Sequence, residues 1–593
     1  MSKNSPFNHT HFIGYVNQVT PQFIKVHFPS SVLLKSFSFY GEQLRGGLVG
    51  NYVVIEGDQF GFLGKILELS LPEKERLELS EKSFNTKEFH PTGKIEILLS
   101  FELFNPSIID KGLNSLPVIG AKVFICSSEF LKSYFKGFGV KEENREDAPT
   151  IEFGYLTYDK TTLVELSQQA IFGRHCAVVG TTGGGKSYTV SKLIEGIINN
   201  NGKSIIIDAT GEYNKHDGEK YSEKALIISE DSYFPYSRLT IADLFVLFRP
   251  AGQVQQPILL EAIKSLKIVN CLMRDKSSYS NIEIENGITF KIKTKQGDKD
   301  LNIVNGLLVK KGNLTGPYNM CYHNYVDEIE DNSKSNFDIN NLTGQIRNEC
   351  YQNFGENWGT REDERNLSNS TSLLMRINNV LNDESFKKIF GFKVEKQKNL
   401  IDAINAFLLP DNKSSMLRIG FEKVPFNFQV REILANSIGN YLLNQARQGV
   451  FIDSPVVFFV DEAHQFLNKN VKDDYFESEL NAFNTIAKEC RKYGLFLCLA
   501  TQMPRDIPIG TLSQIGTFIS HRLINYQDKE AIANACSSAS KETLTFLPVL
   551  GAGEAILMGI DFPMPVILKV QMPEITPNSE TPLFKKSKVM VKI

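Results

Sequence analysis

Residues 180–187 read G-T-T-G-G-G-K-S and fit the pattern G-x-x-x-x-G-K-[ST]. The apolar run Cys176-Ala177-Val178-Val179 precedes them. A helical pattern follows, with Val190, Leu193, Ile194, Ile197 and Ile198 on one face, before Asn199-Asn200-Asn201-Gly202 stops it. Strand, glycine loop and helix in that order constrain the fold more than any other feature of the chain. A second apolar run, Ser204-Ile205-Ile206-Ile207-Asp208, completes a strand–helix–strand unit, so a parallel sheet begins here. Glycines let successive amides curl around an anion, and the helix N-terminus adds partial positive charge. The pattern therefore assigns phosphate contacts to Gly180, Thr182, Gly183, Gly184, Gly185, Lys186, Ser187 and the adjoining Tyr188. Lys186 can reach the β- and γ-phosphates, and the Ser187 hydroxyl can ligate Mg²⁺.

The sheet pattern resumes at 416–421. A helix follows with Val430, Ile433, Leu434, Ile438, Tyr441 and Leu442 inward, and then the apolar run Val456-Val457-Phe458-Phe459-Val460 ends in Asp461-Glu462. A carboxylate at the C-terminal end of a buried strand beside a phosphate loop can hold the hydration shell of Mg²⁺, which suits Asp461, and its neighbour Glu462 can orient the attacking water. Residues 480–493 read as a helix capped by Gly494. The strand 495–500 leads into Thr501-Gln502-Met503-Pro504, where the Gln502 amide can sense a γ-phosphate or, with Thr501, simply begin a loop. Further strands are expected at 516–523, 554–558 and 566–570. Asp461-Glu462-Ala463-His464 also spells a box of one RNA helicase class, but the other boxes of that class are not evident, and His464 is expected to pack or bond locally.

The first 130 or so residues read differently. Short strands at 12–16, 23–28, 52–56, 93–101 and 121–126, with Gly46-Gly47, Gly50-Asn51 and Gly57-Asp58 between some of them, predict a small barrel. It carries no catalytic cluster, which favours a scaffold or oligomerisation role. The charged run 141–147 reads as a linker or exposed loop. Residues 246–412 are richer in Asn, Lys and Ser and read as a mainly helical insertion broken by a hairpin (288–293 and 301–308), with Leu373, Ile377, Val380 and Leu381 as a helical stripe. The expected division is a barrel over 1–145, a nucleotide core over 146–245 and 413–572 around the insertion, and an extended arm over 573–593.

At 593 residues the chain is too long for one core. No apolar stretch is long enough to span a bilayer and the start Ser2-Lys3-Asn4-Ser5 is not a secretory signal, so no membrane association is expected. Eight cysteines without a C-x-x-C pair argue against a disulfide framework or zinc site and for a reducing cytoplasm. A formal net charge of -3 neither requires nor excludes nucleic acid, because a ring that holds DNA in its pore needs only local basic loops.

The glycine loop, Ile207-Asp208-Ala209-Thr210-Gly211-Glu212-Tyr213, Asp461-Glu462-Ala463-His464, Arg491-Lys492-Tyr493-Gly494, Ala500-Thr501-Gln502-Met503-Pro504 and Leu550-Gly551-Ala552-Gly553-Glu554-Ala555 together resemble the HerA family of hexameric DNA-translocating ATPases, in the HerA/FtsK branch of RecA-like motors. The resemblance implies an α/β RecA-like P-loop NTPase core, an N-terminal HAS-like β-barrel and a helical insertion. It implies ATP and Mg²⁺ bound through Lys186, Ser187 and Asp461, Glu462 as catalytic base, Gln502 as sensor, and Arg174 and Arg491 at the positions of family arginines near the γ-phosphate, some of which come from the neighbouring subunit. Met503 stands where relatives commonly carry arginine, and Thr210 lies where they often carry histidine. The resemblance implies a homo-oligomer, a hexamer, that translocates double-stranded DNA without sequence preference. Family members work with a NurA nuclease in end resection or, in bacteria, with nuclease or sirtuin-like NAD-degrading effectors in antiviral defence. A ring that mainly assembles and regulates such an effector is the alternative. A conjugation-type motor is a third possibility, although its usual N-terminal membrane anchor has no counterpart here.

Overall fold

The computed structural model describes residues 6–579 except 22, 35, 40–41, 46–47, 77–88, 104–108, 111–114, 141–146, 158–161, 218–224, 296, 394–395, 468–469, 474–475, 540 and 563. The charged run at 141–147, but for Asp147, and the Gly46-Gly47 turn lie outside the described residues, as does the end of the C-terminal arm. The chain forms two compact units. One comprises Met1–Asn201, Ala500–Arg505 and Leu512–Thr576, and the other Gly202–Leu499, Asp506–Thr511 and Pro577–Ile593.

In the first unit, six antiparallel strands close into a barrel. They run Ile24–His27, Phe12–Val19, Lys122–Ile125, Tyr52–Glu56, Phe60–Ser70 and Thr92–Glu102, and the last pairs back with the first. Closure leaves no open edge on this ring, and alternate side chains such as Val26, Ile55, Phe62, Ile66, Ile95 and Val123 fill it. The long strand Phe60–Ser70 did not show in the sequence pattern, because Gly61 and Gly64 interrupt its alternation. A Cβ on Gly61 would fall 2.3 Å from the Phe101 ring, so the glycine there is a packing requirement rather than a turn.

The same unit holds a mixed sheet in the order Leu163–Ser167, Thr150–Leu156, Val566–Val570, Glu554–Gly559, Thr517–Ser520 and Cys176–Val179, with only the last pair parallel. Cys176–Val179 is buried along its whole length, as a strand covered on both faces must be. It feeds the glycine loop and then helix Lys186–Asn199, which buries Val190, Leu193, Ile194 and Ile197 as its periodicity predicts.

The second unit contains a parallel sheet in the order Leu495–Thr501, Val456–Val460, Lys203–Asp208, Met416–Gly420 and Leu226–Ile227. Helix Val430–Arg447 buries nearly every apolar side chain it carries. The insertion is mainly helical, with Gly252–Arg274 and Glu364–Asn382 its longest helices. Its hairpin, Gly287–Thr294 with Gly297–Val304, belongs to a four-stranded antiparallel sheet with Ser280–Ile284 and Leu307–Leu308. This sheet packs on Ile268, Leu272 and Trp358. Among the described residues, no helix is long and apolar enough to cross a membrane.

Because Ile95 is fully buried in the closed barrel, Ile95→Ala removes apolar contacts the ring cannot recover by collapse. The expected cost is about 2–5 kcal/mol. It should appear in hydrogen exchange as lost amide protection across Ile24–His27 and Thr92–Glu102, with the parallel sheet of the second unit unchanged.

Candidate functional site

The glycine loop is held from outside at three places. Thr181 donates both its backbone N–H (3.0 Å) and its hydroxyl (3.2 Å) to the Arg522 carbonyl. The Gly180 N–H bonds the Thr501 carbonyl at 3.3 Å, and the Gly184 carbonyl accepts the Gly553 N–H at 3.1 Å. Two glycines are obligatory. A Cβ on Gly180 would lie 2.6 Å from the Cβ of His521, and Gly185, the helix N-cap, has φ of 114°. The amides of Gly183, Gly185 and Ser187 have no hydrogen-bond partner among the described residues, and all three belong to the loop and first helical turn, where an anion binds. Lys186 is buried, with Nζ 3.4 Å from the Thr181 carbonyl inside the curve of the loop. Ser187 and Tyr188 are half-buried on the first turn.

Gln502 contacts the loop. At the tip of the loop the Thr182 hydroxyl donates to its Oε1 at 2.6 Å. Arg174, just ahead of the loop strand, instead pairs with Asp561, its Nε 3.1 Å from Oδ2. His521 was not singled out from sequence. It lies fully buried under the loop, its Nδ1 2.9 Å from the Glu554 carbonyl and its Nε2 2.8 Å from the Thr189 hydroxyl.

The second unit carries the acids. Asp208, at the end of its strand, is saturated: the amides of Thr210, Gly211 and Glu212 donate to Oδ1, and those of Tyr213 and the Arg418 guanidinium to Oδ2. This hook shapes the 209–213 loop. Arg418 is buried in the adjacent strand and also binds Asp217 and Glu422, which neutralises charge that would otherwise be buried alone. A lone arginine inside the run Met416-Leu417-Arg418-Ile419-Gly420, with Glu422 four residues after it, was the available signal for this network. Arg431 ties two loops together by donating to the carbonyls of Ala209, Phe421 and Val424, with the Phe426 ring 3.8 Å away over its guanidinium.

Asp461 contrasts with Asp208. Its Oδ2 is buried with no hydrogen-bond partner among the described residues. Burial, and then the carboxylates of Asp208, Glu462 and Glu212, push its pKa well above the ordinary carboxylate range. Glu462 adopts a left-handed backbone with φ of 45°, a conformation that costs a non-glycine residue roughly 1–2 kcal/mol, and its Oε2 lies 3.3 Å from Nδ1 of His464. Strain here turns the glutamate out of the strand direction immediately after Asp461. Arg491 is exposed beside the Gly494 cap, with no partner among the described residues. The orphaned carboxylate oxygen fits a divalent cation. Mg²⁺ accompanying a nucleotide needs only one or two protein ligands, and among the described residues no cluster of three or more His, Cys, Asp or Glu forms a metal cage.

The family model for the helicase HerA central domain matches residues 151–446, and the model for the HerA-like C-terminal domain matches 450–582. A protein of Methanocaldococcus jannaschii named as a probable helicase is 25% identical over 447 residues, covering 71% of this chain and 70% of its own. The DNA double-strand break repair helicase HerA of Saccharolobus solfataricus is 24% identical over 544 residues, covering 88% of each. The solved structure of the bacterial conjugative coupling protein TrwB aligns with 75% of this chain and 94% of its own, at 10% identity and a TM-score of 0.42.

Asp461 pays for its position in stability. With no cation bound, Asp461→Asn should raise the melting temperature in EDTA. The gain should be present above the ordinary carboxylate range, where the native carboxyl resists an ionisation the unfolded chain allows, and should vanish as pH falls below that range. Thermal melts of both proteins across pH check this, and a variant that melts lower at neutral pH would contradict it.

Proposed function

The chain belongs to the HerA helicase family, and from that premise we propose a ring-forming ATPase, a hexamer, that moves along double-stranded DNA without reading its sequence. The reading is carried by one observation: a phosphate loop with unpartnered amides at Gly183, Gly185 and Ser187 sits inside the span matched by the family's central domain. The loop amides and the Lys186 ammonium take the β- and γ-phosphates of ATP. Mg²⁺, held through Ser187 and Asp461, supplies further charge neutralisation when bound. Glu462 orients water against the γ-phosphorus and takes up its proton as the bond to the β-phosphate oxygen breaks. Gln502, already bonded to Thr182, responds to whether the γ-phosphate is present. Arg491, exposed and unpaired among the described residues, is suited to act on a neighbouring copy, whereas Arg174 must first leave Asp561.

The finer reading extends this motor to a separate partner effector, a nuclease or NAD-degrading enzyme, in antiviral defence, with the ring as scaffold and regulator as the alternative. It rests on the family resemblance, and co-purification from the native source tests it. A second reading, DNA end repair, is favoured by relatives such as that of Saccharolobus solfataricus, which is named a DNA double-strand break repair helicase.

Lys186→Ala should abolish ATP hydrolysis. Glu462→Gln should still bind ATP while turnover falls by about 10²–10⁴-fold. Arg491→Ala should be inactive alone and partly rescued on mixing with Lys186→Ala subunits, because each supplies what the other lacks; failure of rescue places the arginine in its own chain. DNA affinity should fall steeply between about 50 and 200 mM salt. Hydrolysis by a protein that binds no DNA at low salt would overturn the translocase reading.

A further inference from the structure

We propose that His521 is a positioning residue that acts through Thr189 to fix the phosphate loop in its binding shape, an inference that rests on reading this loop as the nucleotide's phosphate cradle. The His521 side chain is a wedge. A Cβ added at Gly180 or Gly184 would meet its Cβ at 2.6 or 3.4 Å, and one at Gly185 would meet the ring Cε1 at 3.3 Å, so the side chain forms the floor of the loop. It is anchored at both nitrogens. The Glu554 carbonyl is an acceptor, so Nδ1 carries the hydrogen and donates at 2.9 Å. In the neutral ring Nε2 then accepts from the Thr189 hydroxyl at 2.8 Å.

Thr189 lies on the first turn of helix Lys186–Asn199. A helical threonine hydroxyl ordinarily turns back to the carbonyl four residues earlier. Here the hydroxyl goes to His521, and the Gly185 carbonyl is taken by the Thr189 N–H at 3.0 Å. The left-handed N-cap glycine and the first turn are thus tied to strand Thr517–Ser520, which His521 follows, and to strand Glu554–Gly559. The Gly553 N–H, one residue before that second strand, independently grips the Gly184 carbonyl at 3.1 Å. The ring stays neutral, its pKa pulled down to about 4 by burial and by the charge of Lys186. Lys186 therefore remains the cation offered to phosphate from this side, with no second charge to repel it.

A merely structural histidine and a positioning histidine differ in what they change. The deciding experiment measures binding of a fluorescent ADP analogue and the KM–kcat split for ATP, alongside melting temperature, on the full chain. Thr189→Val keeps the volume and removes the hydroxyl, and Thr189→Ser keeps the hydroxyl. His521→Asn keeps a donor near Nδ1 and loses the acceptor at Nε2. Thr189→Val and His521→Asn should each weaken analogue binding roughly tenfold and raise KM, and the double variant should be no weaker than either alone because both break the same bond. Thr189→Ser should restore binding. Thr189→Val binding within about twofold of wild type, additive effects in the double variant, or a loss that Thr189→Ser does not rescue would each overturn the proposal. Should His521→Asn not fold, the Thr189 pair decides alone. Wild-type protein that binds no analogue, or a Lys186→Ala variant that binds it equally well, overturns the reading of the loop and this inference with it; normal wild-type binding with an indifferent Thr189→Val overturns the inference alone.

Discussion

A loop of small residues that must wrap a phosphate cannot supply its own rigidity, and every amide spent on internal hydrogen bonds is lost to the ligand. In this chain the conflict is resolved by neighbouring strand ends. The carbonyls of Arg522 and Thr501 and the N–H of Gly553 hold the loop, and His521 fills the space beneath it. The receiving amides at Gly183, Gly185 and Ser187 are left over. The strands that bring those ends into place are anchored by burial on both faces, so the precision of the loop depends on packing in the sheet behind it.

The acids of the second unit pose the opposite problem, which is too much charge of one sign away from water. Two aspartates at the ends of parallel strands receive different treatment. Asp208 is saturated by four backbone amides and Arg418, and spends its charge on shaping the 209–213 loop. Asp461 is left with an unsatisfied oxygen among like charges. The first arrangement is stable by itself. The second is a standing electrostatic cost that a bound cation would relieve.

Much of this could be read from the chain. Period-2 alternation gave the barrel strands, the glycine loop between an apolar run and an amphipathic stripe gave the core, and Gly494 capped its helix in the left-handed conformation expected of it. The strand Phe60–Ser70 escaped because Gly61, packed under the Phe101 ring, and Gly64, against Ile95, look like turns. The Arg418 network and His521 escaped for another reason. Apart from Glu422, their partners lie far away in sequence, so a buried arginine or histidine announces that it must be paired but not with what. Gln502 could be read either as a sensor or as the start of a loop, and its bond to Thr182 associates it with the phosphate loop.

The most direct test is a cryo-electron microscopy structure of the wild-type protein with Mg²⁺ and a slowly hydrolysed ATP analogue. The account predicts the β- and γ-phosphates on the amides of Gly183, Gly185 and Ser187, with the loop backbone displaced by less than about 1 Å from the shape described above. A nucleotide bound elsewhere, or a loop that must refold to receive it, would contradict the claim that the cradle is built in advance.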